Sequence, residues 1–200
     1  MKQNNQTLYM VKLALMVAII FVMAFTPLGY FHTAGLAITF LTVPVAVGAV
    51  ILGPKGGAVC GLAFGITSLM QAFMGTSAFA AMLLNVNPFG TVFTCVVPRI
   101  LEGWLCGLVF MAVRKISGNW SYFAASLACP LLNTLFFMSS LVMFFYNTEY
   151  IQGFVQTLGV TNPFMFVIAF VGVQGLIEAI VCCLIASAVS RTLALALKQG

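Results

Sequence analysis

Hydrophobic residues run along this chain in six long blocks, separated by shorter and more polar intervals. The blocks cover residues 8–26, 36–52, 56–73, 91–113, 122–145 and 163–189. The hydrocarbon core of a bilayer, about 30 Å thick, is crossed by about 20 helical residues rising about 1.5 Å each, so every block predicts one crossing. Backbone N–H and C=O groups left unpaired there are too costly to tolerate, which favours helix throughout. The pattern predicts an all-α integral membrane protein, a bundle of six transmembrane helices forming a single domain over residues 1–200. The first block is too long for a signal-peptide core and no clear small-residue cleavage site follows it, so it reads as a retained span.

Composition sharpens this picture. Hydrophobic residues are 62% of the 200, and only eight Lys and Arg and three acidic residues remain. Lys2, Lys12, Lys55, Arg114, Lys115, Arg191 and Lys198 lie in the tails or beside alternate loops, while the intervening loops carry no Lys or Arg. The positive-inside rule then places both termini in the cytoplasm, with 53–56 and 114–121 cytoplasmic and 27–35, 74–90 and 146–162 external. A net charge of +5 distributed in this way marks a membrane topology and predicts no nucleic-acid partner. Two external loops of about 17 residues contain aromatic and apolar side chains and are expected to fold back as lids.

Small residues recur at every fourth position. Gly53, Gly57, Gly61 and Gly65 form one row, Gly103 and Gly107 another, and Ala14 and Ala18 a third. Such rows let helix backbones approach closely, which is how spans associate in lipid. For the glycines, packing within the bundle suffices as an explanation. For Ala14 and Ala18 both internal packing and contact with a partner are open.

The few polar residues within the blocks are the candidates for function, because each carries a cost in the membrane. In the fourth block Arg99 and Glu102 stand three residues apart, just after Pro98. Proline has no N–H to give the carbonyl of Thr94, so that acceptor is left free. Arg99 either forms a structural pair with Glu102 or receives an anionic ligand, since a guanidinium fork matches a carboxylate. Gln71, Asn133 and Gln174 reach a similar depth on three other helices and are suited to hydroxyl and amide groups. Together with Glu102 these make a candidate substrate-binding set. Glu178 reads as a buried, neutral or paired acid of the inner half rather than a ligand contact, with a proton relay as the less favoured role.

Catalytic patterns are missing. His32, the single histidine, lies in an external loop, so no Ser-His dyad or multi-histidine metal site can be built within the membrane. There is no phosphate-binding P-loop, and Gly53-Pro54-Lys55-Gly56-Gly57 reads as a tight turn. Cys60, Cys95, Cys106, Cys129, Cys182 and Cys183 sit in apolar stretches without metal-ligand spacing and read as buried thiols. No enzyme activity, cofactor or metal is expected.

The six blocks, Ala14-x-x-x-Ala18, the run from Ile38 to Val45 leading to Gly53-Pro54-Lys55-Gly56-Gly57, and Pro98-Arg99-Ile100-Leu101-x-Gly103 together resemble the substrate-binding S component of an energy-coupling factor transporter. The resemblance covers essentially the whole chain and looks closest to pantothenate-type members. It implies a high-affinity vitamin-binding subunit in the cell membrane, docked on a transmembrane coupling protein and two cytoplasmic ATPases. It further implies that Ala14 and Ala18 face the coupling protein, and that Arg99 meets a substrate carboxylate. Folate, riboflavin or a queuosine precursor are alternative substrates. A membrane enzyme or assembly factor is the alternative from another class, and a stand-alone secondary carrier fits poorly because no internal repeat is evident.

The charge asymmetry yields a direct test. In a background freed of the six native cysteines, a cysteine at Thr148 is expected to react with an impermeant thiol reagent on intact cells, and one at Ser117 to be protected. Equal labelling of the two would reject the orientation.

Overall fold

The computed structural model describes residues 2–27, 29–32 and 37–198. Among them the order is α1 (Lys2–Ala24), β1 (Tyr30–His32), β2 (Ala37–Thr39), α2 (Thr42–Met74), α3 (Ala78–Val86), α4 (Pro88–Arg114), α5 (Trp120–Phe145), α6 (Glu149–Thr157) and α7 (Pro163–Lys198). Five of these helices, α1, α2, α4, α5 and α7, are long and apolar enough to cross a membrane. This is a multi-pass helical membrane protein.

The second and third blocks form the two helical segments of α2, which meet at Gly53, where φ is 78° and ψ −174°. Glycine alone takes that backbone conformation without strain, and Pro54 starts the next helical segment with its φ already set. The chain reverses there. A β-carbon built on Gly48 would lie 2.6 Å from Sγ of Cys60, two residues that a straight helix would hold about 18 Å apart. Residues 42–52 and 54–74 are thus antiparallel arms of one hairpin.

The start of the second block is corrected. Leu36 lies outside the described residues, and 37–39 form a strand paired antiparallel with β1, Phe31 opposite Ile38. His32 belongs to β1 rather than to an irregular loop. Helix begins only at Thr42, with Pro44 in the first turn, where its missing N–H has no partner to lose.

The 54–74 arm packs on α4 more extensively than any other pair of elements meets. A β-carbon on Gly61 would overlap the carbonyl of Arg99, and one on Gly57 the carbonyl of Gly103. One on Gly65 would fall 2.9 Å from the carbonyl oxygen of Cys95. The glycine row therefore packs inside the bundle, backbone against backbone, and fixes an antiparallel register in which Gly61 faces Arg99. Pro54 reaches the level of Gly107 at the same end.

Similar antiparallel contacts tie α4 to α5 and α5 to α7: Cys106 Sγ donates to the Ala125 carbonyl at 3.3 Å, and Cys183 Sγ to that of Phe123 at 3.8 Å. The Gly53 turn, the C-termini of α4 and α7 and the N-terminus of α5 consequently share one end of the bundle. Lys55, Arg114, Lys115 and Arg191 lie there. The opposite end carries the short helices α3 and α6, with Glu149 as the charged residue of α6.

Those short helices occupy the two long loops anticipated as lids. In α3, Ser77 caps the N-terminus by accepting from the Ala80 N–H at 3.4 Å. In α6, Ile151 and Val155 are buried in a cluster with Leu83, Met138, Leu141, Phe145 and Phe166. Phe79 of α3 packs against Tyr150 and Phe154 of α6 and Phe170 of α7, with ring centroids 6.0, 6.4 and 5.9 Å away. Aromatic contacts of this kind hold both short helices over the end of the bundle.

Replacing Gly61 by alanine forces α2 off the Arg99 carbonyl. Overpacking of this sort costs typically about 1–3 kcal/mol. Thermal unfolding of the detergent-solubilised chain should show a clear loss of stability for Gly61→Ala, whereas Val59→Ala on the exposed face should change little.

Candidate functional site

Below α3, between α2, α4, α5 and α7, lies a cavity of about 310 Å³. Arg99, Gln71, Asn133 and Gln174 all line it, so the structure brings together four of the five residues proposed from sequence. Four helices converge because the glycine row draws α4 onto α2, and α5 and α7 pack in turn against that pair.

Arg99 is held in the way the proline predicts. Its Nη1 donates to the Thr94 carbonyl at 2.6 Å, the acceptor that Pro98 cannot serve. Its guanidinium carbon also lies 4.6 Å from the ring centroid of Phe137 and 5.3 Å from that of Phe64. The side chain is buried, with 7% of its surface accessible. Its Nε has no hydrogen-bond partner.

Glu102 is corrected. It does not line the cavity, and among the described residues it forms no ion pair with Arg99. Helical side chains lean toward the helix N-terminus, and Arg99 reaches back a full turn to the Thr94 carbonyl. The carboxyl of Glu102 stays beneath, fully buried, with Oε1 accepting from Cys129 Sγ at 3.2 Å and Oε2 unpaired. A shared helical face did not bring the two charged groups into contact.

Gln71 holds the outer end of α2 to α1 by donating from Nε2 to the Ala24 carbonyl at 2.6 Å. Asn133 is buried with its Oδ1 unpaired. Gln174 is half-buried on α7, one turn before Glu178.

Glu178 is the residue that sequence reasoning undervalued. It lines the cavity, only 6% exposed, and its Oε2 accepts from the Thr39 N–H at 3.3 Å while Oε1 has no partner. Thr39 lines the cavity too, and its carbonyl accepts from Cys182 Sγ at 3.6 Å. Strand β2 thus carries non-helical backbone deep into the bundle, where α7 side chains satisfy it, the condition under which such backbone is tolerated at membrane depth. Spacing along α7 does place Glu178 on the face of Gln174, four residues away. The missing information was the inward path of β2.

Ala14 and Ala18 lie on the outward face of α1. The residues of α1 packed against the core are Leu13, Met16, Val17, Ile20 and Phe21. The alanine row therefore does not pack inside this chain.

A multi-span helical bundle enclosing a small, partly polar cavity defines an integral membrane protein built to bind a small molecule. The chain belongs to the ECF transporter, substrate-specific component family, whose model matches residues 8–190. Members of that family are substrate-binding parts of transporters rather than enzymes. Among curated relatives, the pantothenate transporter PanT of Leuconostoc mesenteroides subsp. mesenteroides is 32% identical over 112 residues, 54% of this chain and 52% of its own. The pantothenic acid transporter PanT of Lactococcus lactis subsp. cremoris is 30% identical over 119 residues, 55% of this chain and 59% of its own. The matches span about half the length of each relative.

Proposed function

We propose that this chain is the vitamin-binding subunit of an ATP-driven importer in the cell membrane and that its substrate is a small hydroxylated amide acid, pantothenate. The observation that carries this reading is the set of unpaired polar atoms around one cavity: the Arg99 Nε donor and the Asn133 Oδ1 acceptor, both buried. Buried polar groups are almost always hydrogen-bonded, so unpaired groups on residues that line a cavity favour a ligand that completes them. Pantothenate supplies a carboxylate for the Arg99 fork and amide and hydroxyl groups for Asn133, Gln71 and Gln174. A volume of 310 Å³ is at the small end of the range for ligand sites, about 300–1,000 Å³, and suits such a molecule better than a folate. The names of the two relatives agree with this choice.

In this reading residues 1–200 form one transmembrane substrate-binding domain. The two arms of α2 count as separate crossings, the first completed by the strand pair, giving six. The end bearing Lys55, Arg114, Lys115 and Arg191 faces the cytoplasm, and the cavity opens beneath α3 toward the outside. Ala14 and Ala18 are the contact surface for a transmembrane coupling protein, which links the chain to two cytoplasmic ATPases. Their exposure on α1 supports that role, since a small-residue row left exposed among the described residues can seat another helix.

Two measurements check these assignments. Arg99→Lys keeps the charge but loses the planar fork, so pantothenate affinity should fall tenfold or more, in line with about 1.5–3 kcal/mol for a hydrogen bond to a charged group. Unchanged affinity in a folded variant would remove Arg99 from the site. Replacing Ala14 and Ala18 together by tryptophan should abolish uptake into cells and leave pantothenate binding by the isolated subunit nearly intact. Joint loss of binding and uptake would show that the alanines support the subunit itself.

A further inference from the structure

We propose that Glu178 is a ligand-binding residue of the cavity, accepting a hydrogen bond from a substrate hydroxyl at Oε1 while Oε2 holds the N–H of Thr39. The inference rests on the binding role proposed above and extends it to a residue outside the set read from sequence.

Three observations support it. Glu178 lines the same cavity as Arg99 and Asn133. It is 94% buried, with 6% accessible, and cannot turn to bulk water for its second oxygen. One oxygen is already engaged by backbone, at 3.3 Å from the Thr39 nitrogen, which orients the carboxyl and leaves Oε1 unpaired. A carboxylate accepts at both oxygens, and an unpaired buried acceptor is expensive, so a ligand hydroxyl donating to Oε1 would relieve that cost.

The chemistry of the donor follows from the other cavity groups. Arg99, a cation, is complementary to a carboxylate, whereas a second carboxylate of the ligand would be repelled by Glu178. A hydroxyl is the group that donates to Glu178 without adding charge. The ligand class is therefore a monocarboxylic acid whose hydroxyl-bearing part lies toward Glu178 and whose carboxylate lies toward Arg99. Dicarboxylic ligands are selected against by the same residue, which makes Glu178 a determinant of specificity as well as of affinity.

The test is a cycle of two proteins and two ligands, measured as equilibrium binding to the full chain in lipid nanodiscs. The ligands are pantothenate and an analogue whose hydroxyls are replaced by hydrogen. In Glu178→Gln the Thr39 N–H holds the amide carbonyl and turns the NH₂ toward the cavity, so the acceptor becomes a donor. Pantothenate should bind this variant at least tenfold more weakly, and the analogue should bind both proteins within about twofold of each other. Equal weakening of both ligands, or of neither, overturns the assignment. Should Glu178→Gln fail to fold, the unaltered chain is treated with a hydrophobic carbodiimide and modification at Glu178 is read by mass spectrometry. Saturating pantothenate should protect Glu178, and undiminished modification overturns the proposal. An unaltered chain that binds no pantothenate instead rejects the substrate reading itself, and this proposal with it. A chain that binds pantothenate while Glu178→Gln binds it unchanged rejects only the role of Glu178.

Discussion

Direct backbone contact between α2 and α4 is the constraint on which the rest of the structure depends. In lipid there is no hydrophobic drive to bring helices together, so association relies on close packing and on hydrogen bonds. Gly57, Gly61 and Gly65 present a smooth row to the carbonyls of Gly103, Arg99 and Cys95. The close approach sets the register of α4, and with it the position of Arg99. Because α5 and α7 pack outward from this pair, the cavity takes its shape from this seam, and Phe64, Ser68, Gln71, Thr94, Cys95 and Arg99 of the two helices line it.

A second constraint is the cost of polar groups at depth. Pro98 leaves the Thr94 carbonyl without its helical donor, and Arg99 answers it at 2.6 Å. One costly feature compensates another, and the guanidinium is anchored while its remaining donors face the cavity. Strand β2 follows the same logic: its Thr39 N–H is met by Glu178 and its carbonyl by Cys182. Compensation is incomplete at several buried atoms, of which Arg99 Nε, Asn133 Oδ1 and Glu178 Oε1 belong to residues lining one cavity, while Thr42, Glu102, Ser126 and Ser190 carry theirs elsewhere in the bundle.

The two ends of the bundle differ in how they are built. At the end without Lys or Arg, the short helices α3 and α6 are held by a second apolar cluster containing Leu83, Ile151 and Val155 and by aromatic contacts among Phe79, Tyr150, Phe154 and Phe170. Elements secured by a few side-chain contacts open more easily than long helices packed along their length.

Much of this was legible in the chain itself. Long apolar blocks dictate helices because the bilayer leaves no alternative for backbone polar groups, and a guanidinium in such a block must face inward to find partners. Local chemistry also determined that Pro98 frees the Thr94 carbonyl, and that glycines at every fourth position allow close approach. Tertiary structure decided what these features meet. Arg99 and Glu102 share a helical face, yet the longer side chain reached the freed carbonyl and left the acid below. At Gly53 the tight turn read from the sequence is made by a single positive φ, and packing of Gly48 against Cys60 brings its two arms together. Glu178 became part of the cavity only because β2 enters the bundle and reaches it, and a long-range encounter of that kind depends on packing that no local pattern encodes.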